Sequence, residues 1–362
     1  MKLKLRDLPS VLILCTLLVI VLIYLKSILV PIVIAILLSV AVQPIVTFIT
    51  SKGINKSLSS IIGIFVVLTV FCSLGYLFIN QLGNISENQE KIMNKMSHYN
   101  NIIISELNES KMGKRLVNVY KRQVTTEEYI KTIFENSSSS LNTSLDIIIN
   151  ILLVPIYMFF FLSYSKFFLG ALSKIVAPFN KLDFRAMIKS SKKVLQSYFT
   201  GFAKVVGILA VLNSVGLLFL GVEDAIFYGV LAALLSVIPY VGVIVGSLLP
   251  ALMALVNHDS ALNAMGVVGW MTFVQFLEGN FITPNVVGNQ IRINPFVVLV
   301  FLLIFSKIWG LAGLIVAIPI AAIFKEVCRH VETLNPIWLL MTSFPAAGEK
   351  QPSIQEIKTS QA

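Results

Sequence analysis

The sequence predicts an all-α polytopic membrane protein. Two observations carry that reading. Hydrophobic residues make up 56% of the 362 residues and charged residues only 13%, with 24 Phe, whereas a soluble domain carries roughly 25% charge. Several apolar runs also reach the ~20 residues needed to cross ~30 Å of hydrocarbon. A soluble globular enzyme and a disordered chain are excluded. The net charge of +10 would suggest nucleic acid in a soluble protein. Here it suits cytoplasmic loops facing anionic headgroups, so no nucleic-acid partner is expected.

The N-terminal region, 1–80, holds three spans. Lys2, Lys4 and Arg6 precede an apolar run from Leu8 to Leu25, and a second run from Ser27 to about Ile49 follows at once, so an uncleaved helical hairpin is expected rather than a cleaved signal peptide. Pro31 falls in the first turns of the second helix, where proline is tolerated, and Pro44 lies deeper and is expected to kink it. The third span runs from about Ser59 to Ile79.

Residues 81–142 differ. They carry eight basic and seven acidic residues, and Ile92, Met96, Tyr99, Ile103 and Leu107 recur at helical spacing. Thr125 and Glu128 form a capping box ahead of Tyr129, Ile130, Ile133 and Phe134. A small extracytoplasmic helical insert is expected.

Residues 143–197 comprise a fourth span, ending near Leu162, and a basic cytoplasmic helix. Lys166, Lys174, Lys181, Arg185, Lys189, Lys192 and Lys193 face one acid, Asp183, and Phe184, Met187, Ile188 and Leu195 give the segment an apolar face suited to the interface. The positive-inside rule places this cluster in the cytoplasm, and counting back through four spans leaves the N-terminus and Lys52 and Lys56 inside as well.

Residues 198–330 form the expected transport core. After a fifth span, Tyr198 to Leu220, the 32 residues from Ala225 to Val256 contain no charge. One straight helix of that length would measure ~48 Å, too long for the hydrocarbon. It is interrupted at Ile238-Pro239-Tyr240-Val241-Gly242. A span from about Ala264 to Phe281 and a polar link follow, and then a second long run, Pro295 to Phe324, interrupted at Ser306-Lys307-Ile308-Trp309-Gly310. At an offset of 69, Phe227 falls on Phe296, Tyr240 on Trp309 and Pro250 on Pro319. Broken apolar segments in matching positions point to a transporter site. The preferred architecture is six full spans plus two re-entrant helical hairpins, with eight single spans as the alternative. Both place the tail, 331–362, in the cytoplasm.

The stretches Ile238-Pro239-Tyr240-Val241-Gly242, Gln275-Phe276-Leu277-Glu278-Gly279-Asn280, Thr283-Pro284-Asn285-Val286-Val287-Gly288 and Asn294-Pro295 resemble the autoinducer-2 exporter family of bacterial membrane proteins. The resemblance covers nearly the whole chain and its order of segments. It departs at Asn294, where many members carry His, and at Ser306-Lys307-Ile308-Trp309, where many are glycine-rich. It implies an inner-membrane transporter that forms homo-oligomers and exports a quorum-sensing furanone or exchanges sodium or lithium for protons.

The sequence has no nucleotide-binding P-loop, no zinc-protease motif and no serine-hydrolase elbow, so no enzymatic activity, cofactor or ATP-driven step is expected. Three scattered His and three unpaired Cys suggest no metal site. The candidate pathway residues are Pro239, Tyr240, Gly242, Gln275, Glu278, Asn280, Pro284, Gly288, Asn294, Trp309 and Gly310. Pro239 removes a backbone donor and Gly242 permits unusual dihedrals, which frees polar backbone for a solute. The bland reading of the same residues is a turn between complete helices. Gln275 and Glu278 share a helix face, and an acid at membrane depth is usually functional, although a water-facing helix end accounts for Glu278 as well. The expected function is secondary transport or export of a small polar solute, with sodium or lithium/proton antiport as alternative. A membrane scaffold or sensor is the rival class. Expected partners are the lipid bilayer, the solute, and a proton or sodium.

Overall fold

A computed structural model describes residues 8–87, 94, 97–98, 101, 104–105, 141–176, 184–238, 241–257, 261–287 and 293–342. The helices are α1 (Leu8–Tyr24), α2 (Lys26–Ser51), α3 (Lys56–Glu87), α4 (Leu141–Ser163), α5 (Ser165–Val176), α6 (Phe184–Phe219), α7 (Ala225–Leu235), α8 (Val241–Asn257), α9 (Ala261–Leu277), α10 (Thr283–Val287), α11 (Pro295–His330) and α12 (Asn335–Met341). Among the described residues there is no strand, only one isolated bridge between Ile293 and Thr342. The protein is an all-α polytopic membrane protein. The insert expected over 81–142 lies mostly outside the described residues.

Its surface is apolar as lipid requires: Phe219 is 87% exposed, Leu262 76% and Phe296 70%. By length and composition α2, residues 56–77 of α3, α6 and α11 qualify to cross a membrane, and α4 with α5 qualifies as a bent pair. α1 and α9 have 17 residues each, the lower end of spanning length.

α11 is not one rod. A straight helix would hold Phe301 and Phe324 ~34 Å apart. Their ring centroids are 5.9 Å apart, so the element folds back on itself. The reversal is at Gly310, with φ 62° and ψ −133°, a backbone state a side chain resists. Just beyond it a Cβ on Gly313 would lie 1.9 Å from the Phe305 carbonyl oxygen, so the two arms touch backbone to backbone. α7 and α8 form the same device earlier in the chain. There a Cβ on Gly242 would lie 1.7 Å from the Leu235 carbonyl oxygen, and one on Gly246 would lie 2.9 Å from the Ala232 Cα. Both long apolar runs therefore fold as helical hairpins. Pro250 and Pro319 are buried in their second arms, as the offset of 69 pairs them. The contacting glycines pair at a register one or two residues longer.

α2 is helical through Pro31 and Pro44, with Pro31 in its first turns as expected. Two local expectations are corrected. α6 is continuous for 36 residues, so the basic segment after Asp183 and the fifth span are one helix. The segment that bends away is instead α5, at 75° to α4. Finally, part of the polar link is helical. α9 passes through a π turn, Glu278–Ile282, into α10. A π turn leaves a carbonyl without its usual donor, and Asn280 Nδ2 donates to the Phe276 carbonyl at 2.9 Å.

The chain divides into two compact units. The first is Met1–Ile61, Val154–Val205 and Phe281–Ala362, and the second is Ile62–Leu153 and Val206–Asn280. The first holds the α11 hairpin. Its core joins Leu37, Leu195, Ile308, Trp309 and Val316. α1 ends one residue before α2 begins, so Leu22 lies in a last turn whose carbonyls lack helical partners. The Trp309 indole N–H donates to the Leu22 carbonyl at 2.9 Å. The second unit holds the α7–α8 hairpin packed with α9 and the end of α6 around Leu217, Tyr228, Ala254 and Val267. Small residues at such contacts let backbones approach where no hydrophobic effect drives association.

Candidate functional site

A small cavity lies inside the second unit, and four elements build it. α6 presents Leu209 and Asn213, four residues apart and so on one face. The α7 hairpin arm gives Ala232 and, in the turn after it, Ser236. α8 gives Gly242, Val243, Gly246 and Ser247, and α9 gives Met271, Val274 and Gln275. The close backbone approach at Gly242 fixes this geometry, because any side chain there would prise the hairpin arms apart. The cavity volume is ≈ 20 Å³, room for one water-sized species.

Its polarity is one-sided. Asn213 is 6% exposed, and its Oδ1 is buried with no hydrogen-bond partner in the protein. The Ser236 hydroxyl donates to the Ala233 carbonyl at 2.6 Å, and the Ser247 hydroxyl to the Ile244 carbonyl at 3.2 Å. Gln275 Nε2 donates to Glu278 Oε2. The two serine hydroxyls have committed their hydrogens to backbone carbonyls, which leaves their oxygens as acceptors. A buried amide oxygen left alone costs roughly 1–3 kcal/mol. A guest that donates hydrogens or carries positive charge relieves that cost.

Two sequence candidates, Gly242 and Gln275, line this cavity, and Glu278 is bonded to Gln275. Glu278 is half-buried at the start of the π turn, and Asn280 is exposed there with its amide on Phe276. Pro284 is exposed in α10. Asn294 caps α11: its Oδ1 accepts from the Phe296 N–H at 3.0 Å. Trp309 is buried in the first unit and Gly310 makes the reversal there. Pro239, Tyr240 and Gly288 lie outside the described residues. Sequence reading missed Asn213, Ser236 and Ser247. The available signal was an amide in the middle of an apolar span, a costly placement that usually serves function.

A second hollow in the same unit, ≈ 380 Å³, lies between α3 and α7, lined by Phe71, Leu74, Leu77, Phe227, Leu231 and Leu234 among others. Its walls are hydrocarbon and offer nothing to orient a polar solute.

Comparison with known proteins points to transport. The chain is 24% identical over 318 residues to YrrI of Bacillus subtilis (strain 168), whose name assigns it to transport, covering 84% of this chain and 87% of that one. It is 21% identical over 310 residues to YhhT of Escherichia coli (strain K12), covering 83% of each. It is 22% identical over 210 residues to PerM of the same organism, named as a permease, covering 58% of each. The model of the AI-2E family transporters matches residues 11–333, and the chain belongs to that family of membrane transporters.

Proposed function

We propose that the protein is a secondary transporter of a small polar solute, without an ATPase of its own, in a bacterial plasma membrane. The observation that supports this reading best is the cavity walled by Asn213, Ser236, Gly242, Ser247 and Gln275. A broken helix at membrane depth is stable where its backbone lines a polar or watery space, and this cavity adjoins such a break. A scaffold has no use for either feature. The test is flux in liposomes containing the purified full-length protein: a graded set of small polar solutes should include one moved faster than in empty liposomes. Protein-free rates throughout would reject transport and favour the scaffold or sensor.

Cation/proton antiport is the second reading, and one observation favours it. The cavity presents oxygen lone pairs, as a monovalent cation requires, and a carboxylate, Glu278, sits one hydrogen bond away on Gln275. Dissipation of an imposed pH gradient on adding sodium or lithium separates this reading from solute export.

We propose that both termini lie in the cytoplasm and the segment 81–142 outside, on the asymmetry of basic residues along the sequence. Single-Cys labelling tests this in a background lacking Cys15, Cys72 and Cys328. An impermeant reagent should reach position 110 in intact cells and not position 190, and the reverse pattern would invert the topology.

A further inference from the structure

The elbow between α4 and α5 carries features that solute transport leaves unused. α4 stops at Ser163, and α5 leaves at 75°. α5 is short and amphipathic. Phe167 is 70% exposed, Ile175 65%, and Phe168 and Leu172 are exposed as well. A helix that turns sharply off a spanning helix and shows such a face lies along the membrane surface with that face among acyl chains.

Cations gather at the same elbow from three elements. Lys56, at the start of α3, donates from Nζ to the Ser163 carbonyl at 3.0 Å and to the Ser165 hydroxyl at 2.8 Å. The carbonyl is one that the end of α4 leaves without a helical partner. An ammonium has three hydrogens, so one remains. Lys166 is the residue after Ser165, whose hydroxyl Lys56 holds, and after burial the charges of Lys166 and of Lys192 in α6 are what disfavour a charged Lys56. The ion pair of Glu326 with Arg329 lies elsewhere. Converging ammonium groups at the edge of a low-dielectric phase repel one another unless an anion joins them.

We infer that the elbow binds an anionic phospholipid, its phosphate among Lys56, Lys166 and Lys192 and its acyl chains along the exposed face of α5. Both halves of the ligand are matched side by side, which a free phosphate would not need. A zwitterionic lipid is disfavoured because its own ammonium would enter the cationic cluster. Lys56 also ties α3 to the elbow through the protein, so a bound lipid would tighten a joint between three helices.

Native mass spectrometry of the full-length protein in detergent tests this with phosphatidylglycerol and phosphatidylcholine of identical chains. Wild type should bind phosphatidylglycerol about tenfold more tightly, since each surface lysine contributes appreciably to anionic-lipid binding. Lys166→Gln with Lys192→Gln should lose that preference while sparing the Lys56 hydrogen bonds. Lys174→Gln, farther along α5, should keep it. Should the double variant not fold, Lys192→Gln alone should lower the preference several-fold and Lys192→Arg should retain it. Equal binding of the two lipids by wild type, or a preference unchanged in the folded variants, would overturn the inference. Displacement of phosphatidylglycerol by millimolar inorganic phosphate would also overturn it, because the site would then hold a free anion.

Discussion

Substituting Gly242 with alanine tests the hairpin and the cavity together. The added Cβ would lie 1.7 Å from the Leu235 carbonyl oxygen and 2.3 Å from its carbon, whereas real Cβ atoms essentially never approach below 3.0 Å. The obstacle is backbone and has no rotamer to escape into. The arms of α7 and α8 must part by more than ~1 Å, and overpacking of this kind costs about 1–3 kcal/mol or more. Gly207→Ala is the internal control. Gly207 lies in α6 with nothing within 4 Å of its Cβ position, so alanine there should gain about 0.5–1 kcal/mol of helix stability. The two variants should thus differ by roughly 1.5–4 kcal/mol. Thermal unfolding of the purified proteins in one detergent reads this, with Gly242→Ala melting several degrees below wild type and Gly207→Ala at or above it. Flux should fall in Gly242→Ala alone, because Gly242 lines the cavity. If both variants melt together and transport equally, the close approach of the hairpin arms is wrong.

Three further perturbations separate structural from transport roles. Trp309→Phe keeps the ring in its core but removes the donor to the Leu22 carbonyl; it should lower stability by about 1–3 kcal/mol, and an unchanged melting temperature would remove the proposed cap of α1. Asn213→Leu replaces a buried amide whose oxygen has no partner, so stability should hold or rise while solute flux drops at least ~10-fold; full flux would take Asn213 off the pathway. Glu278→Gln keeps the bond partner of Gln275 but cannot carry a proton, so pH-gradient-driven flux should collapse while uncoupled leak remains, and intact coupling would return Glu278 to the role of a wet helix end.

Much of the fold was legible because membrane helices announce themselves by length and apolarity. The break at Gly310 was readable too: a glycine inside a run too long for one crossing. Continuity was less readable. Lys192 and Lys193 marked the end of an interfacial segment, yet α6 runs through them, because a helix leaving the hydrocarbon changes polarity without changing backbone. Thr283 and Pro284 read as a loop, although proline is well suited to the first helical turn, and α10 begins there. Asn213 carried a signal, one amide inside an apolar span, but the site it belongs to takes shape only where α7, α8 and α9 converge on it. The bond between Trp309 and Leu22 spans 287 positions, and no local pattern encodes it.

The offset repeat puts the two breaks in matching positions, and their surroundings make them different. The break after α7 is bounded by two hydroxyls, Ser236 and Ser247, whose hydrogens are spent on nearby carbonyls, and it borders a cavity with an unsatisfied amide oxygen. The break in α11 buries Trp309 among apolar neighbours and spends its one polar hydrogen on the end of α1. A buried polar group without a partner is costly, so it persists where a guest or a function maintains it. A satisfied indole in a packed core needs neither. The two hairpins thus share a backbone device and differ in what surrounds it: the first borders a cavity with an unpartnered amide oxygen, and the second seats a satisfied indole in a packed core. The search for a transported species should accordingly begin with side chains of the second unit, Asn213 first, and use Trp309 as a reporter of fold integrity.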